Sequence, residues 1–276
     1  MATETNTARA SLKTAERVCE LKLLDVNAEP FPHVVGENFV ESRHYERLRR
    51  AFPSCPPGTS PTGFSLYWGD EGYERLLEEE PAWRALFETF HSQAFVDWGV
   101  RQFADVWERE GCALDLSRAR YVGYREDRVD KERPRLRRVE HAPEELWVRM
   151  DIHQGRVGYS RPVHLDHARR LISMLVYFYD HAENHLTGGE LLLHGGADSN
   201  TGGAAPARVT PRHNLMVAFP CSNNSQHSVP AITSAAAPRN YIQVHISSSV
   251  DIWPRPRTLR TTLSSIKLRL RDAVGK

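Results

Sequence analysis

The sequence predicts a mainly β protein with helices packed against it, and three observations carry that expectation. Short apolar runs of strand length, bounded by Gly, Pro and Asn clusters, recur between Glu145 and Ile246. An aromatic stripe at helical spacing precedes them, between Pro81 and Glu110. An apolar fraction of 40% with 26% charged residues describes an ordinary soluble globular chain.

Residues 1–18 form an expected flexible leader, rich in Ala, Thr and Glu without hydrophobic pattern. LKLLDVN (21–27) alternates as a strand would, and PFPHVVGENFV (30–40) is a turn followed by another strand. Ser42 can cap a helix through Arg50 with Tyr45 and Leu48 facing inward. The Pro- and Gly-rich SCPPGTS (54–60) is a loop, and Glu71–Leu77 a short helix. Pro81 suits the first turn of a longer helical region, broken near Ser92 and stopped by Gly111. Its stripe of Trp83, Phe87, Phe90, Phe95, Trp98, Phe103 and Val106 fits core packing better than a substrate channel.

ARYVGY (119–124) is strand-like. EDRVDKERPRLRRVE (126–140) mixes both charge signs without aromatics, which favours a solvated loop over a basic patch built on Arg133, Arg135, Arg137 and Arg138. In ELWVRMDIHQ (145–154), Trp147, Arg149 and Asp151 share one face and Leu146, Val148, Met150 and Ile152 the other. The mixed face is either a cavity wall or an exposed surface with a paired Arg and Asp. RLISMLVYF (170–178) is apolar enough for a strand buried on both faces. ELLLHGG (190–196), NLMVAF (214–219) and NYIQVHI (240–246) are further strands, and 198–212 reads as a long loop. Leu259, Leu263, Ile266 and Leu270 place a C-terminal helix against the sheet.

Several function classes recede on composition. A net charge of +1 gives no global attraction to nucleic acid or an anionic membrane. The four cysteines (Cys19, Cys55, Cys112 and Cys221) form no CxxC pair, and no signal peptide or run of about 20 apolar residues is visible, so a reduced cytoplasmic protein is expected.

Chemistry concentrates at His164-Leu165-Asp166. On an extended segment the imidazole and carboxylate point to the same side, about 7 Å apart along the backbone. Two such groups plus a third ligand hold a metal with open positions, the arrangement suited to non-haem Fe(II). With thirteen histidines available, His194, His213 and His245 all compete for the third place. His227 is favoured because it follows a strand across the polar turn CSNNSQ, at a corner able to meet the other two. Arg239, twelve residues on, can fork a carboxylate, and Tyr177 can add a hydroxyl to the same anion. Trp147, Arg149, Asp151 and Tyr159 are candidates for substrate contact.

The order HLD, RLISMLVYF, GGELLL, NLMVAF, QHSVP, RNYIQVHIS resembles the 2-oxoglutarate and Fe(II)-dependent oxygenases, most closely the prolyl 4-hydroxylase-like branch. PFPHVVGENFV is similar to the opening segment of many bacterial members, and the motif-bearing resemblance spans about 145–247. It implies a double-stranded β-helix, or cupin-like jelly roll, with helices packed outside. One oxygenase domain would then span 1–276, with N-terminal strands and supporting helices at 19–144, the jelly-roll motifs at 145–250 and a C-terminal helix at 251–276. The resemblance assigns iron to His164, Asp166 and His227 and the distal carboxylate of 2-oxoglutarate to Arg239 with Tyr177. Ser173 would line the cosubstrate pocket.

The implied reaction converts 2-oxoglutarate and O2 to succinate and CO2 while oxidising an unactivated C–H bond, with ascorbate as a stimulant. Retention of Asp166 argues against the halogenase variant. A small-molecule substrate is expected, with no nucleic acid or membrane partner and the oligomeric state open. The alternatives are a peptidyl hydroxylase of the prolyl type and a non-catalytic jelly-roll binding module.

Overall fold

The computed structural model describes residues 18–54, 60–127, 140–195 and 205–254. In chain order it contains β1 (Val34–Gly36), α1 (Ser42–Arg50), β2 (Gly63–Leu66), α2 (Glu71–Glu79), α3 (Pro81–Phe90) and α4 (Gln93–Gln102). These are followed by β3 (Arg120–Tyr121), β4 (Glu145–Gly155), β5 (Arg161–His164), β6 (Arg170–Tyr177), β7 (Leu191–Leu193) and β8 (Ala207–Val209). The last three are β9 (Met216–Pro220), β10 (His227–Val229) and β11 (Arg239–Ser247).

The strands form two sheets. The larger runs β1-β9-β6-β11-β4-β2, with β3 added beside β4, and the smaller runs β5-β10-β7-β8. Apart from the parallel β3–β4 pair, every strand pairing is antiparallel. Alternation along the central strands divides the larger sheet into two faces with different partners. Leu146, Val148, Met150, Ile172, Met174, Val176, Val244 and Ile246 join the helices in one core. Leu175, Tyr177, Val217, Phe219 and Tyr241 point the other way and meet Leu191, Leu193 and Val209 of the smaller sheet in a second core. Two facing antiparallel sheets, one backed by helices, make a double-stranded β-helix.

Local chemistry explains how the helices sit. Pro81 occupies the start of α3, where its missing amide costs nothing. Ser92 separates α3 from α4, its Oγ accepting a hydrogen bond from the Phe95 amide at 3.2 Å. Gly99 lets α4 lie directly on the sheet: a Cβ there would come within 2.6 Å of Ile246 Cδ1 and 2.8 Å of Ile172 Cδ1. The whole aromatic stripe is buried, as core packing requires.

Several expected elements change. LKLLDVN forms no strand; its Asn27 makes an isolated bridge to His33, while Gln102 on α4 binds both polar backbone atoms of Leu24. The cap of α1 is Glu41, whose carboxylate accepts from the His44 amide, so Ser42 is the first helical residue. α4 ends at Gln102 rather than at Gly111, and turns fill the interval. ARYVGY contributes only the two residues of β3. The loop expected at 198–212 contains β8, which pairs with β7. Val18, placed in the leader, is buried and accepts a backbone hydrogen bond from Glu41. The rest of the leader, the Arg133–Arg138 cluster and the C-terminal helix with Leu259, Leu263, Ile266 and Leu270 lie outside the described residues.

Candidate active site

The smaller sheet sets the first two candidate ligands. His164 ends β5 and His227 opens β10, and the antiparallel register makes them direct partners with ring centroids 4.2 Å apart. His227 therefore belongs to a strand, where sequence reading placed it in a polar corner. Each ring is oriented by its own backbone: His164 Nδ1 donates to the Pro162 carbonyl at 2.8 Å and His227 Nδ1 to the Ser225 carbonyl at 2.9 Å. A carbonyl can only accept, so both Nδ1 atoms carry a proton, and in each neutral ring Nε2 is the atom left to bind a metal. This is the outer-shell orientation characteristic of metal-binding histidines.

Asp166 follows β5 and completes the group. One ligand atom from each of His164, Asp166 and His227 lies within 4.8 Å of the other two. Burial alone would raise the Asp166 carboxyl, but His245, His227 and His164 hold it far below the ordinary carboxylate range. Burial pushes the His227 imidazole down, with Asp166 opposing. Both directions favour the deprotonated forms that bind a metal. Cys221 Sγ and His245 Nε2 each lie 3.8 Å from Asp166 Oδ2. His245 thus sits beside the carboxylate but outside the three-ligand group.

Arg239 starts β11 and is fully buried. Its Nε donates to the Gly189 carbonyl at 2.8 Å. Among the described residues, Nη1, Nη2 and the nearby Tyr177 hydroxyl have no hydrogen-bond partner. Tyr241, Tyr177, Tyr159 and Tyr179 surround the guanidinium, with ring centroids 4.2, 5.3, 5.9 and 5.9 Å from its Cζ. A buried cation walled by aromatic rings, with two nitrogens unmatched, fits the distal carboxylate of 2-oxoglutarate. Ser173 lies on the same inner face of β6, its Oγ accepting from Gln243 Nε2 at 3.3 Å.

On the other side of the ligands is a cavity of about 350 Å³ whose walls include Asp151, Arg161, Arg169, Arg170, Gln243 and His245. His167 also reaches it, consistent with a rim position. Behind this wall lies Glu126, which sequence reading assigned to a solvated loop. Its side chain is instead completely buried and accepts from Arg149, Arg169, Arg170 and the Trp147 indole at 2.7–3.0 Å. Burial works against its charge, yet Arg170, Arg149 and Arg169 keep the carboxyl well below the usual range. Arg149 Nε also spans both Asp151 oxygens at 2.8 and 2.9 Å. The mixed face of β4 is therefore interior, which overturns its reading as an exposed surface.

Of the four residues expected at substrate, Asp151 reaches the cavity wall, whereas Trp147 and Arg149 are engaged by Glu126. Tyr159 lies beside Arg239, its hydroxyl 2.7 Å from that of Tyr241. His194 binds Ser228, His213 sits between Tyr45 and Glu183, and Arg212 pairs with Glu37 on the surface, so none joins the ligand group. Sequence reading missed the roles of Glu126 and Gln243. The only available signal for Glu126 was an acidic residue just after a strand, which is too common to single out.

Comparison with known proteins places this site in a family. Residues 150–247, the segment holding all three candidate ligands and Arg239, match the model of the 2OG-Fe(II) oxygenase superfamily. The match makes that segment a 2OG-Fe(II) oxygenase segment, of a family of dioxygenases that use Fe(II), 2-oxoglutarate and O2, and the three candidate ligands fall within it. No curated protein sequence gives a significant match.

Among solved structures, the chain is similar to a 2OG-Fe(II) oxygenase family oxidoreductase from Burkholderia pseudomallei, with 11% identity, TM-score 0.46, and coverage of 82% of this chain and 88% of that one. A prolyl 4-hydroxylase from Phytophthora capsici shares 15% identity with TM-score 0.45, covering 84% and 65%. One from Pseudomonas putida shares 13% with TM-score 0.41, covering 78% and 92%.

Proposed function

We propose that His164, Asp166 and His227 hold the iron, that Arg239 with Tyr177 binds the distal carboxylate of 2-oxoglutarate, and that the enzyme hydroxylates an unactivated C–H bond of a small molecule. The observation that carries this reading is the meeting of three candidate ligand atoms within 4.8 Å, beside a cavity of about 350 Å³. Iron, 2-oxoglutarate and oxygen together supply an oxidant strong enough for such a bond, with succinate and CO2 released.

The chain's own residues position these groups. The backbone carbonyls of Pro162 and Ser225 aim the two imidazoles, and the Gly189 carbonyl aims Arg239. Ser173 and Gln243 stand on the sheet between the two ends of the cosubstrate site. We assign substrate to the cavity side, where Asp151 lies on the wall and Arg149 braces it. Trp147 acts behind the wall through Glu126, and Tyr159 borders the cosubstrate pocket.

The free thiols of Cys19, Cys112 and Cys221 support a reduced, cytoplasmic setting. Among the described residues no helix is long and apolar enough to cross a membrane. We read the chain as one oxygenase domain.

The test is an anaerobic titration with Fe(II) and 2-oxoglutarate, followed by the visible charge-transfer band of the chelate and, with oxygen, by succinate release. Both signals are expected, and both should disappear in His164→Ala. A protein that forms neither would be the non-catalytic binding module instead.

A further inference from the structure

Arg239 has no surface open to solvent, and four tyrosine rings stand around its guanidinium. An anion that is to reach Nη1 and Nη2 must therefore displace part of this wall. Three of the rings are poorly placed to move. Tyr177 and Tyr241 lie on the central strands β6 and β11, Tyr179 follows β6 by two residues, and all three are buried in the second core. Shifting any of them would open close-packed interior. Tyr159 alone of the four is half-buried, and it lies in the short connection between β4 and β5.

Around Tyr159 a fixed backbone carries a side chain with room to turn. The Gly158 amide donates to the Ile232 carbonyl at 2.8 Å, and the Ile232 amide donates to the Tyr159 carbonyl at 2.9 Å. The ring rests on Gly155, the register partner of Arg239: a Cβ on Gly155 would lie 3.0 Å from Tyr159 Cγ. Its hydroxyl is 2.7 Å from that of Tyr241 and accepts from Arg161 Nε at 3.3 Å. Tyr159 also lines a second cavity, of about 270 Å³, whose walls include Ser65, His153, Ser160 and Arg161. Gly158, Ser160 and Arg161 in that wall are exposed, so the cavity opens to solvent. Tyr159 is thus a partition between open space and a buried cation.

We propose that Tyr159 is the movable wall of the cosubstrate site: its ring swings into this cavity to admit 2-oxoglutarate and closes behind the distal carboxylate, latched by Tyr241. This rests on the reading of Arg239 as the anchor and adds the route by which the cosubstrate enters and leaves. A latch made both before and after binding slows entry and exit alike and has little effect on affinity. A direct contact with the anion would instead hold back only its departure.

The test is stopped-flow mixing of the anaerobic Fe(II) protein with increasing 2-oxoglutarate, followed by the visible band of the chelate. The slope of the observed rate gives association and the intercept dissociation, and calorimetry on the Mn(II) protein gives Kd independently. Tyr159→Phe keeps the ring and removes the latch bond. Both rates should rise about three- to tenfold, the range for loss of one hydrogen bond, while Kd stays within about twofold. Tyr241→Phe breaks the same bond from the other end, so it should reproduce the effect, and the double variant should add nothing further.

Unchanged rates in both single variants overturn the proposal. So does a rise in the dissociation rate alone, which marks a direct contact with the anion, or a double variant faster than either single one. Failure of the anchor reading is distinct, because Arg239→Gln would then leave the Kd for 2-oxoglutarate unchanged.

Discussion

Arg239 donates through Nε to the carbonyl of Gly189 at 2.8 Å, and this single bond fixes which edge of the guanidinium remains for a ligand. Gly188 and Gly189 both have positive φ, +80° and +84°, and a Cβ on Gly188 would lie 2.0 Å from the Ala231 carbonyl oxygen. The GGEL turn thus aims the Arg239 guanidinium as well as starting a strand.

Removing the anchor should weaken the cosubstrate far more than the metal. Arg239→Gln is expected to cost about 2–4 kcal/mol, or roughly a 30- to 1000-fold rise in the 2-oxoglutarate Kd. Tyr177→Phe should cost about 1 kcal/mol. Calorimetric titration of Mn(II)-loaded protein measures both, and unchanged affinity in the two variants would move the anchor elsewhere.

The turn itself gives a second expectation. Gly188→Ala combines an unfavourable φ with a backbone clash, so a loss of about 1–3 kcal/mol in stability is expected. Because Gly189 holds Arg239, the 2-oxoglutarate Kd should rise in the surviving folded protein. Chemical denaturation and the same titration check the two effects separately.

His227→Ala should abolish tight Fe(II) binding while the folded structure persists, because one ligand of three is removed from an otherwise intact sheet. Metal analysis after gel filtration, with circular dichroism as the control for folding, provides the measurement. Retained stoichiometric iron would sink the ligand assignment.

Glu126 governs stability. Replacing it by Ala strands Arg149, Arg169 and Arg170 without their shared counter-charge, a change of the kind that costs about 3–5 kcal/mol. Its folded pKa lies below the ordinary value near 4.5, so the stabilisation is full above that pH and is lost as pH falls toward the folded pKa. Acid unfolding of the native protein should therefore steepen below about pH 4.5, and this part of the slope should be missing in Glu126→Gln.

How much of this was written in the sequence depends on the range of the interaction. Strands β4, β6, β9 and β11 were legible because each presents an apolar face of period two or is apolar throughout. His164, Asp166, His227 and Arg239 were singled out because their order and spacing follow a known pattern, and the structure brings the first three together. The position of His227 within a strand was hidden, since HSV is too short for periodicity to register. β8 was hidden for the same reason inside a Gly- and Ala-rich stretch. Glu126 was opaque because its three arginine partners lie 23, 43 and 44 residues away, and no local pattern marks an acid that is buried only by such distant partners.

Among the described residues β5 is the outermost strand of the smaller sheet, with β10 as its sole neighbour and with Arg161, Pro162 and Val163 exposed. Pro162 has no amide to offer, so the free edge is a poor template for another chain. A strand held on one side also opens at a lower free energy than a central one, and its amides should exchange with solvent early. An ion bound by His164 and His227 would act as a clasp across that one seam. Occupancy would then be readable, without any turnover, as slowed hydrogen exchange confined to this margin of the molecule.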